Sequence, residues 1–209
     1  LSNETFVVDT MRLMPGMRVA AFYDSTLPVP LIYPPQYQAE LIAVVRPEED
    51  VNLSWFDETL TASEGVGLAA PQIGKAIRVV VIDLDVLSDD LPEYKGFRKA
   101  YINPHIEEYD DSETETMEEG CLSLPAIHER VTRPTRIRVR YLDEQMQPHD
   151  EWIEGYLARV MQHEFDHLDG KMFIDRISPL RKQLIKSKLR ALLQGRYRCG
   201  YKTKAAVKK

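Results

Sequence analysis

Hydrophobic periodicity after residue 50 predicts a mixture of strands and helices. The β-branched run within AIRVVVIDLD, residues 76–85, predicts a buried strand, and AYINPHIEE, residues 100–108, predicts another. Residues 135–143 alternate between apolar and basic positions, which is the two-residue period of a half-buried strand. The apolar positions are Ile137, Val139 and Tyr141, and the basic positions are Arg136, Arg138 and Arg140. The alternation accounts for these arginines without a function.

Three segments show helical spacing instead. Residues 53–63 carry Trp55, Phe56 and Leu60, and residues 152–170 carry apolar positions that end at Gly170, a candidate C-cap. Residues 178–195 begin with Ser178 as N-cap and Pro179 in the first turn and stop at Gly195. Its predicted apolar face consists of Leu180, Leu184, Ile185, Leu189, Leu192 and Leu193.

The first 50 residues show no sustained period. They contain Pro28, Pro30, Pro34 and Pro35, which favour irregular chain. A strand or a short helix is expected near AELIAVVR, residues 39–46.

Composition limits the class of protein. With 209 residues, 44% of them hydrophobic and 29% charged, the chain is expected to form one globular domain, residues 1–209. No apolar run approaches the ~20 residues that span a bilayer, and the first residues do not have the pattern of a signal peptide. Two cysteines, Cys121 and Cys199, do not make a disulfide framework. A reducing, cytoplasmic setting is therefore expected, with no membrane partner.

Charge is distributed unevenly along the chain. Residues 181–209 contain 11 Lys and Arg and no Asp or Glu, which leaves 16 basic and 33 acidic residues before them. A basic run is often only a solvated surface, and the alternative is a polyanionic partner.

The segment QHEFDHLDG, residues 162–170, carries the candidate chemistry. On a helix, His163 and His167 lie on one face, and Glu164 lies beside that face, where it can reach a water molecule without being a metal ligand. A catalytic metal usually takes three protein ligands, so one remains to be found.

The sequence excludes two familiar sources of the third ligand. Zinc proteases with a downstream glutamate are excluded because no Asp or Glu follows Asp175. Metzincins continue with a third histidine, and Phe173 occupies that position here. The downstream candidates are therefore Asp169, Asp175 and Cys199.

Two upstream segments offer further chemistry. EEGCLSLP, residues 118–125, presents Cys121 after a glycine, although a free cysteine is more often a small buried hydrophobe. GVGLAAPQIG, residues 65–74, places Gly65 and Gly67 where a ligand backbone could approach, and Gln72 supplies an amide donor.

Together, GVGLAAPQ, EGCLS and QHEFDH resemble the three signature motifs of peptide deformylases, in the family's order. The likeness extends from about residue 53 into the last predicted helix and departs in residues 1–50. The resemblance implies that Cys121, His163 and His167 bind a metal ion with water as fourth ligand, and that Glu164 is the general acid and base. It also implies that the Gln72 side chain and the Leu122 backbone N–H stabilise the developing oxyanion.

The resemblance further implies the substrate and the cofactor. The substrate would be the N-formylmethionyl end of nascent polypeptides, which lose formate. The groove for its backbone would be lined by Gly65, Val66, Gly67, Glu119 and Gly120. Iron(II) is the expected metal, with zinc or nickel in preparations. Residues 181–209 would dock on ribosomal RNA, and no DNA partner is expected.

Two other functions remain open at this point. One is a small metalloprotease with Asp175 or Cys199 as third ligand, and the other is a non-catalytic, zinc-stapled, ribosome-associated protein. Glu164 argues against the second, because a closed structural site has no use for a base. The expected fold is α+β, with antiparallel strands packed around a central metal-binding helix and with a C-terminal amphipathic helix.

Overall fold

The computed structural model describes residues 65–201, together with Phe56, Leu60 and three short strands before them. The chain divides into two compact units, Leu1–Leu53 and Ser54–Lys209. Within the described residues, no helix combines the length and apolar character needed to cross a bilayer.

The first unit contains a three-stranded sheet in the order β1-β3-β2. Its strands are β1 (Phe6–Val7), β2 (Val19–Tyr23) and β3 (Ala39–Val44), with β1 parallel and β2 antiparallel to β3. Of the strand or short helix expected near residues 39–46, the structure shows a strand. The expectation of irregular chain is wrong for β1 and β2. β1 has only two residues, and β2, VAAFY, is apolar throughout and so shows no alternation.

The second unit is built on a five-stranded antiparallel sheet in sequential order. Its strands are β4 (Gly67–Ala69), β5 (Val79–Asp83), β6 (Arg98–Gly120), β7 (His128–Leu142) and β8 (Pro148–Glu154). The α+β class with antiparallel strands is therefore confirmed. The strand expected at residues 100–108 is much longer, because the polar residues after it pair with β7 as far as Gly120.

Helix α1 (Gly155–Leu168) packs against this sheet through one apolar core. Ile137 and Val139 are fully buried there, and Met161 and Phe165 cover them from the helix. The predicted alternation along β7 is thus confirmed. Of the helix predicted at residues 53–63, Phe56 and Leu60 are helical and buried, and Trp55 lies outside the described residues.

The boundaries of α1 differ from the prediction at one end only. Residues 152–154 belong to β8, where Trp152 pairs with Arg138, so the helix begins at Gly155. At the other end Gly170 has a φ of 70°, and Lys171 N–H donates to the Asp166 carbonyl at 2.8 Å. This is the predicted C-cap, in the left-handed conformation that favours glycine.

The single helix expected at residues 178–195 is two helices, α2 (Pro179–Leu184) and α3 (Lys186–Leu193). Ser178 caps α2 as predicted, because its hydroxyl accepts from Arg181 N–H at 3.3 Å. The continuous apolar face is wrong: Leu180, Leu184 and Leu193 are 72%, 62% and 81% exposed. Ile185 is buried in a second core cluster, and Leu189 and Leu192 pack against that cluster.

Candidate metal centre and substrate groove

Helix α1 places two histidines on its sheet-facing side. His163 and His167 are one turn apart, so their rings lie on the same face with centroids 5.0 Å apart. Both histidines are largely removed from solvent. The His163 side chain is only 12% exposed, and His167 is 7% exposed.

Cys121 comes to the histidines from the end of β6. The strand ends at Gly120, and a turn follows in which Leu124 N–H donates to the Cys121 carbonyl at 2.9 Å. The turn brings Cys121 Sγ to 3.2 Å from His167 Nε2. The ligand atoms of Cys121, His163 and His167 all lie within 4.8 Å of one another, and no other group of this kind occurs among the described residues.

The downstream candidates for the third ligand are engaged elsewhere. Asp169 pairs with Arg78 at 2.8 Å, and Asp175 pairs with Lys182 at 2.6 Å. Cys199 Sγ donates to the Tyr201 carbonyl at 3.2 Å. The structure therefore brings Cys121, and none of these three residues, to the histidine pair.

Electrostatics favour a thiolate beside imidazoles. Burial raises the pKa of the Cys121 thiol, but hydrogen bonds to His163 and His167 outweigh burial and lower the pKa to about 6. Burial lowers the pKa of His163, but hydrogen bonds to Cys121 and Glu119 outweigh it and raise the pKa to about 10. A cation that replaces the imidazole protons would find a soft thiolate and two nitrogens, which suits iron(II) or zinc.

Glu164 lies beside this group with an unsatisfied oxygen. The residue is 4% exposed, and Oε2 is buried without a hydrogen-bond partner among the described residues. Burial raises the pKa of Glu164 to about 7. Gly67 accommodates the carboxylate, because a Cβ at that position would lie 2.7 Å from Glu164 Oε1. A buried orphan oxygen next to three ligand atoms fits a site made for a metal ion and a water molecule.

A buried ion network holds His163 in place. Glu119 Oε2 accepts from His163 Nδ1 at 3.0 Å, and Arg133 binds both oxygens of Glu119 at 2.6 and 2.9 Å. Arg133 also binds Asp166 at 2.9 Å, and Arg159 binds Glu119 at 2.8 Å. Burial raises the pKa of Glu119, but hydrogen bonds to Arg133 and His163 reverse this and lower the pKa to about 2. This carboxylate fixes which nitrogen of His163 faces the ligand group.

Gln72 is oriented toward the Cys121 turn. Its side-chain oxygen accepts from Ala69 N–H at 2.8 Å, which leaves the amide NH₂ to donate to Ser123 Oγ at 3.2 Å. The same nitrogen lies 3.7 Å from Cys121 Sγ. An amide donor therefore stands beside the candidate metal site.

A groove of about 410 Å³ opens over these residues. The structure brings to it all five predicted substrate-binding residues and most of the predicted chemistry. They are Gly65, Val66, Gly67, Glu119 and Gly120, with Gln72, Cys121, Leu122, His163 and Glu164.

Several residues of the site were missed from sequence. Arg133 stands at an inward position of the β7 alternation, in phase with Ile137, and a charged residue at such a position was a usable signal. Tyr156 and Val160 line the groove from α1, a segment for which the periodicity predicts only a helix. Tyr201 reaches the groove from the chain after α3, and nothing in the local sequence indicated this.

Comparisons with known proteins agree with this geometry. The family model described as polypeptide deformylase matches residues 48–183. A peptide deformylase of Cytophaga hutchinsonii is 42% identical over 152 residues, covering 73% of this chain and 81% of the relative. One of Flavobacterium psychrophilum is 40% identical over 159 residues, with the same two coverages.

Solved structures lead to the same family. A peptide deformylase from Legionella pneumophila is 35% identical with a TM-score of 0.58, covering 74% of this chain and 90% of that one. One from Synechococcus elongatus in complex with actinonin is 33% identical with a TM-score of 0.59, covering 72% and 78%. With these similarities beside the Cys-His-His group, the chain belongs to the polypeptide deformylase family.

Proposed function

We propose that the chain removes the formyl group from N-formylmethionine of nascent polypeptides at the group formed by Cys121, His163 and His167. The reaction is that of the family to which the chain belongs. The observation that supports its location is the buried Glu164 carboxylate, with one unpartnered oxygen, beside three converging ligand atoms.

One divalent metal ion is proposed for this group, and iron(II) is the proposed ion in the cell. Zinc or nickel would suit the same thiolate and imidazole donors in preparations. A cation in this site supplies positive charge that lowers the pKa of an adjacent water molecule and polarises the formyl oxygen. Glu119 accepts from His163 Nδ1, which would leave the other ring nitrogen of His163 to bind the ion.

Glu164 is proposed as general base and then general acid. It accepts a proton from the attacking water and delivers it to the amine nitrogen that leaves when formate is released. The raised pKa of about 7 that burial gives the carboxyl suits both transfers near neutral pH.

Two donors are proposed for the negative charge that develops on the formyl oxygen. They are the Gln72 side-chain NH₂ and the Leu122 backbone N–H. The support is that Ala69 holds Gln72 with its NH₂ toward the Cys121 turn, and that Leu122 directly follows Cys121 in that turn.

The peptide backbone is proposed to run between residues 65–67 and residues 119–120. Both segments contain glycine, which exposes backbone donors and acceptors to an extended ligand. Tyr156 and Val160 give the groove an apolar wall from α1 that suits a methionine side chain.

Docking on the ribosome is proposed for residues 181–209. Arg181 pairs with Glu129 and Lys182 with Asp175, so these two cations are partly neutralised. Lys186, Lys188 and Arg190 on α3 are exposed and suit phosphates.

A cytoplasmic location is proposed because nascent chains are the substrate. That residues 1–209 act as a single catalytic domain stays a prediction.

Formate release from formyl-Met-Ala-Ser, measured beside product release from acetyl-Met-Ala-Ser, tests the proposed function. The account expects formate from the first peptide and an intact second peptide. Cleavage of a peptide bond in both would identify a metalloprotease, and no reaction with the metal-loaded protein would indicate a structural site.

A further inference from the structure

The chain after α3 turns back toward the groove. Gly195 has a φ of 69°, and Arg196 N–H donates to the Ala191 carbonyl at 2.9 Å, which ends the helix in a left-handed cap. Residues 196–201 then lead to Tyr201, whose side chain lines the groove.

Tyr201 is anchored at both its side chain and its backbone. Its hydroxyl donates to the Leu122 carbonyl at 2.6 Å, across 79 residues of sequence. Its own carbonyl accepts from Cys199 Sγ at 3.2 Å. The contact therefore joins the end of the described chain to the residue that follows the metal-ligand cysteine.

The hydrogen bond that closes the turn does not involve the Leu122 carbonyl. The bond from Leu124 N–H to the Cys121 carbonyl closes the turn but leaves its central peptide, between Leu122 and Ser123, able to rotate. Such a rotation turns the Leu122 carbonyl and the Ser123 N–H and changes the backbone angles of Ser123, which carries the hydroxyl that accepts from Gln72. Gln72 holds Ser123 from the other side at 3.2 Å.

We propose that Tyr201 is a positioning residue for the Cys121 turn and also a wall of the substrate groove. Its hydroxyl fixes the central peptide of the turn and so keeps Ser123 Oγ in place to accept from the Gln72 NH₂, which orients that donor toward the formyl oxygen. Its ring lines the groove on the side of residues 196–201. The inference rests on the role proposed above for the Gln72 NH₂.

Three variants of the full chain test this, each loaded with metal and assayed with formyl-Met-Ala-Ser. Tyr201→Phe keeps the ring and removes the hydrogen bond, and kcat should fall about 5-fold, as for a neutral hydrogen bond of ordinary net strength, with KM little changed. Tyr201→Ala also removes the wall, and KM should rise by roughly 10-fold in addition. Arg198→Gln, at an exposed position on the same tail outside the lining of the groove, should match the wild type.

The outcomes separate positioning from stability. Wild-type kcat and KM in Tyr201→Phe would overturn the proposal, and so would a lower unfolding temperature with unchanged kinetics. Glu164→Gln is assayed in parallel. If it is inactive while both Tyr201 variants match the wild type, only this inference fails, whereas no formate release by the metal-loaded wild type would refute the proposed function itself.

Discussion

Glu164 combines burial with an unsatisfied oxygen, an arrangement that costs stability and that a structural metal site would not need. A buried carboxylate without a partner is disfavoured by desolvation, which is why the pKa of this group rises to about 7. Gly67 leaves room for it, since a Cβ there would approach its oxygen to 2.7 Å. The cost is understandable if the carboxylate has to exchange protons with water and substrate.

The ligand assignment can be tested residue by residue. Cys121→Ser should lose most of the bound metal, because an alcohol at this position is a far poorer ligand than a thiolate. Cys199→Ser is the matched control, and it should retain both metal and activity because it keeps a donor for the Tyr201 carbonyl. Elemental analysis of anaerobically purified protein measures both. Loss of metal in the Cys199 variant alone would show that the ligand set is wrong.

At the scale of elements, one buried arginine connects two strands to α1, the helix of the candidate metal centre. Arg133 on β7 is 1% exposed and bonds Glu119 on β6 and Asp166 on α1. Arg176 holds the other side of Asp166. Removing one partner from a buried ionic network leaves uncompensated charge, which is strongly destabilising.

Arg133→Met should therefore lower the free energy of unfolding by about 3 to 5 kcal/mol, measured by urea denaturation. The matched control is Arg138→Met on the same strand, whose arginine pairs with Glu108 and Asp150 at the surface. Its effect should be much smaller, because exposed ion pairs contribute little. Equal effects of the two substitutions would contradict the central position of Arg133.

The sequence predicted an element well where its hydrophobic pattern continued over enough residues. The alternation along β7 and the spacing in α1 were long enough to identify both elements and to place His163 and Glu164 on one helix. Cys121 was identified as a candidate ligand through its motif. By contrast, the second half of β6 is polar and acidic, so its pairing with β7 is a tertiary effect that no local pattern contains.

The break in the C-terminal helix has the same kind of origin. Ile185 is buried beside Leu124, in the cluster beneath the Cys121 turn, whereas Leu184 is left exposed. The periodicity predicted helical structure in this segment but not its division into α2 and α3, because where the apolar side chains pack depends on a surface distant in sequence. The approach of Tyr201 to the groove could not be predicted for the same reason.

At the scale of the whole molecule, residues 181–209 are basic and the rest of the chain is acidic. RNA should repel the acidic part. Because Ile185 supports the Cys121 turn, truncating the helices would disturb the site itself. Lys186→Gln with Lys188→Gln removes two exposed charges and leaves that packing in place. Ribosome affinity should fall, and the slope of log affinity against log salt should become shallower by roughly 2.

The control for that experiment is Lys95→Gln with Lys171→Gln, which removes two exposed charges outside the tail. Co-sedimentation with ribosomes over a salt series measures both pairs. Hydrolysis of a formylated tripeptide should be unchanged in each. Identical salt slopes in the two double variants would mean that the basic residues of α3 are only a solvated surface.

The central claim is that Glu164 transfers protons without binding the metal, and Glu164→Gln tests it most directly. The variant is purified anaerobically, and its metal content and its rate of formate release from formyl-Met-Ala-Ser are measured on the same sample. The account predicts wild-type metal content with a rate lower by ~10²- to 10⁴-fold, the usual contribution of general acid–base catalysis. Full activity with the metal retained would contradict it.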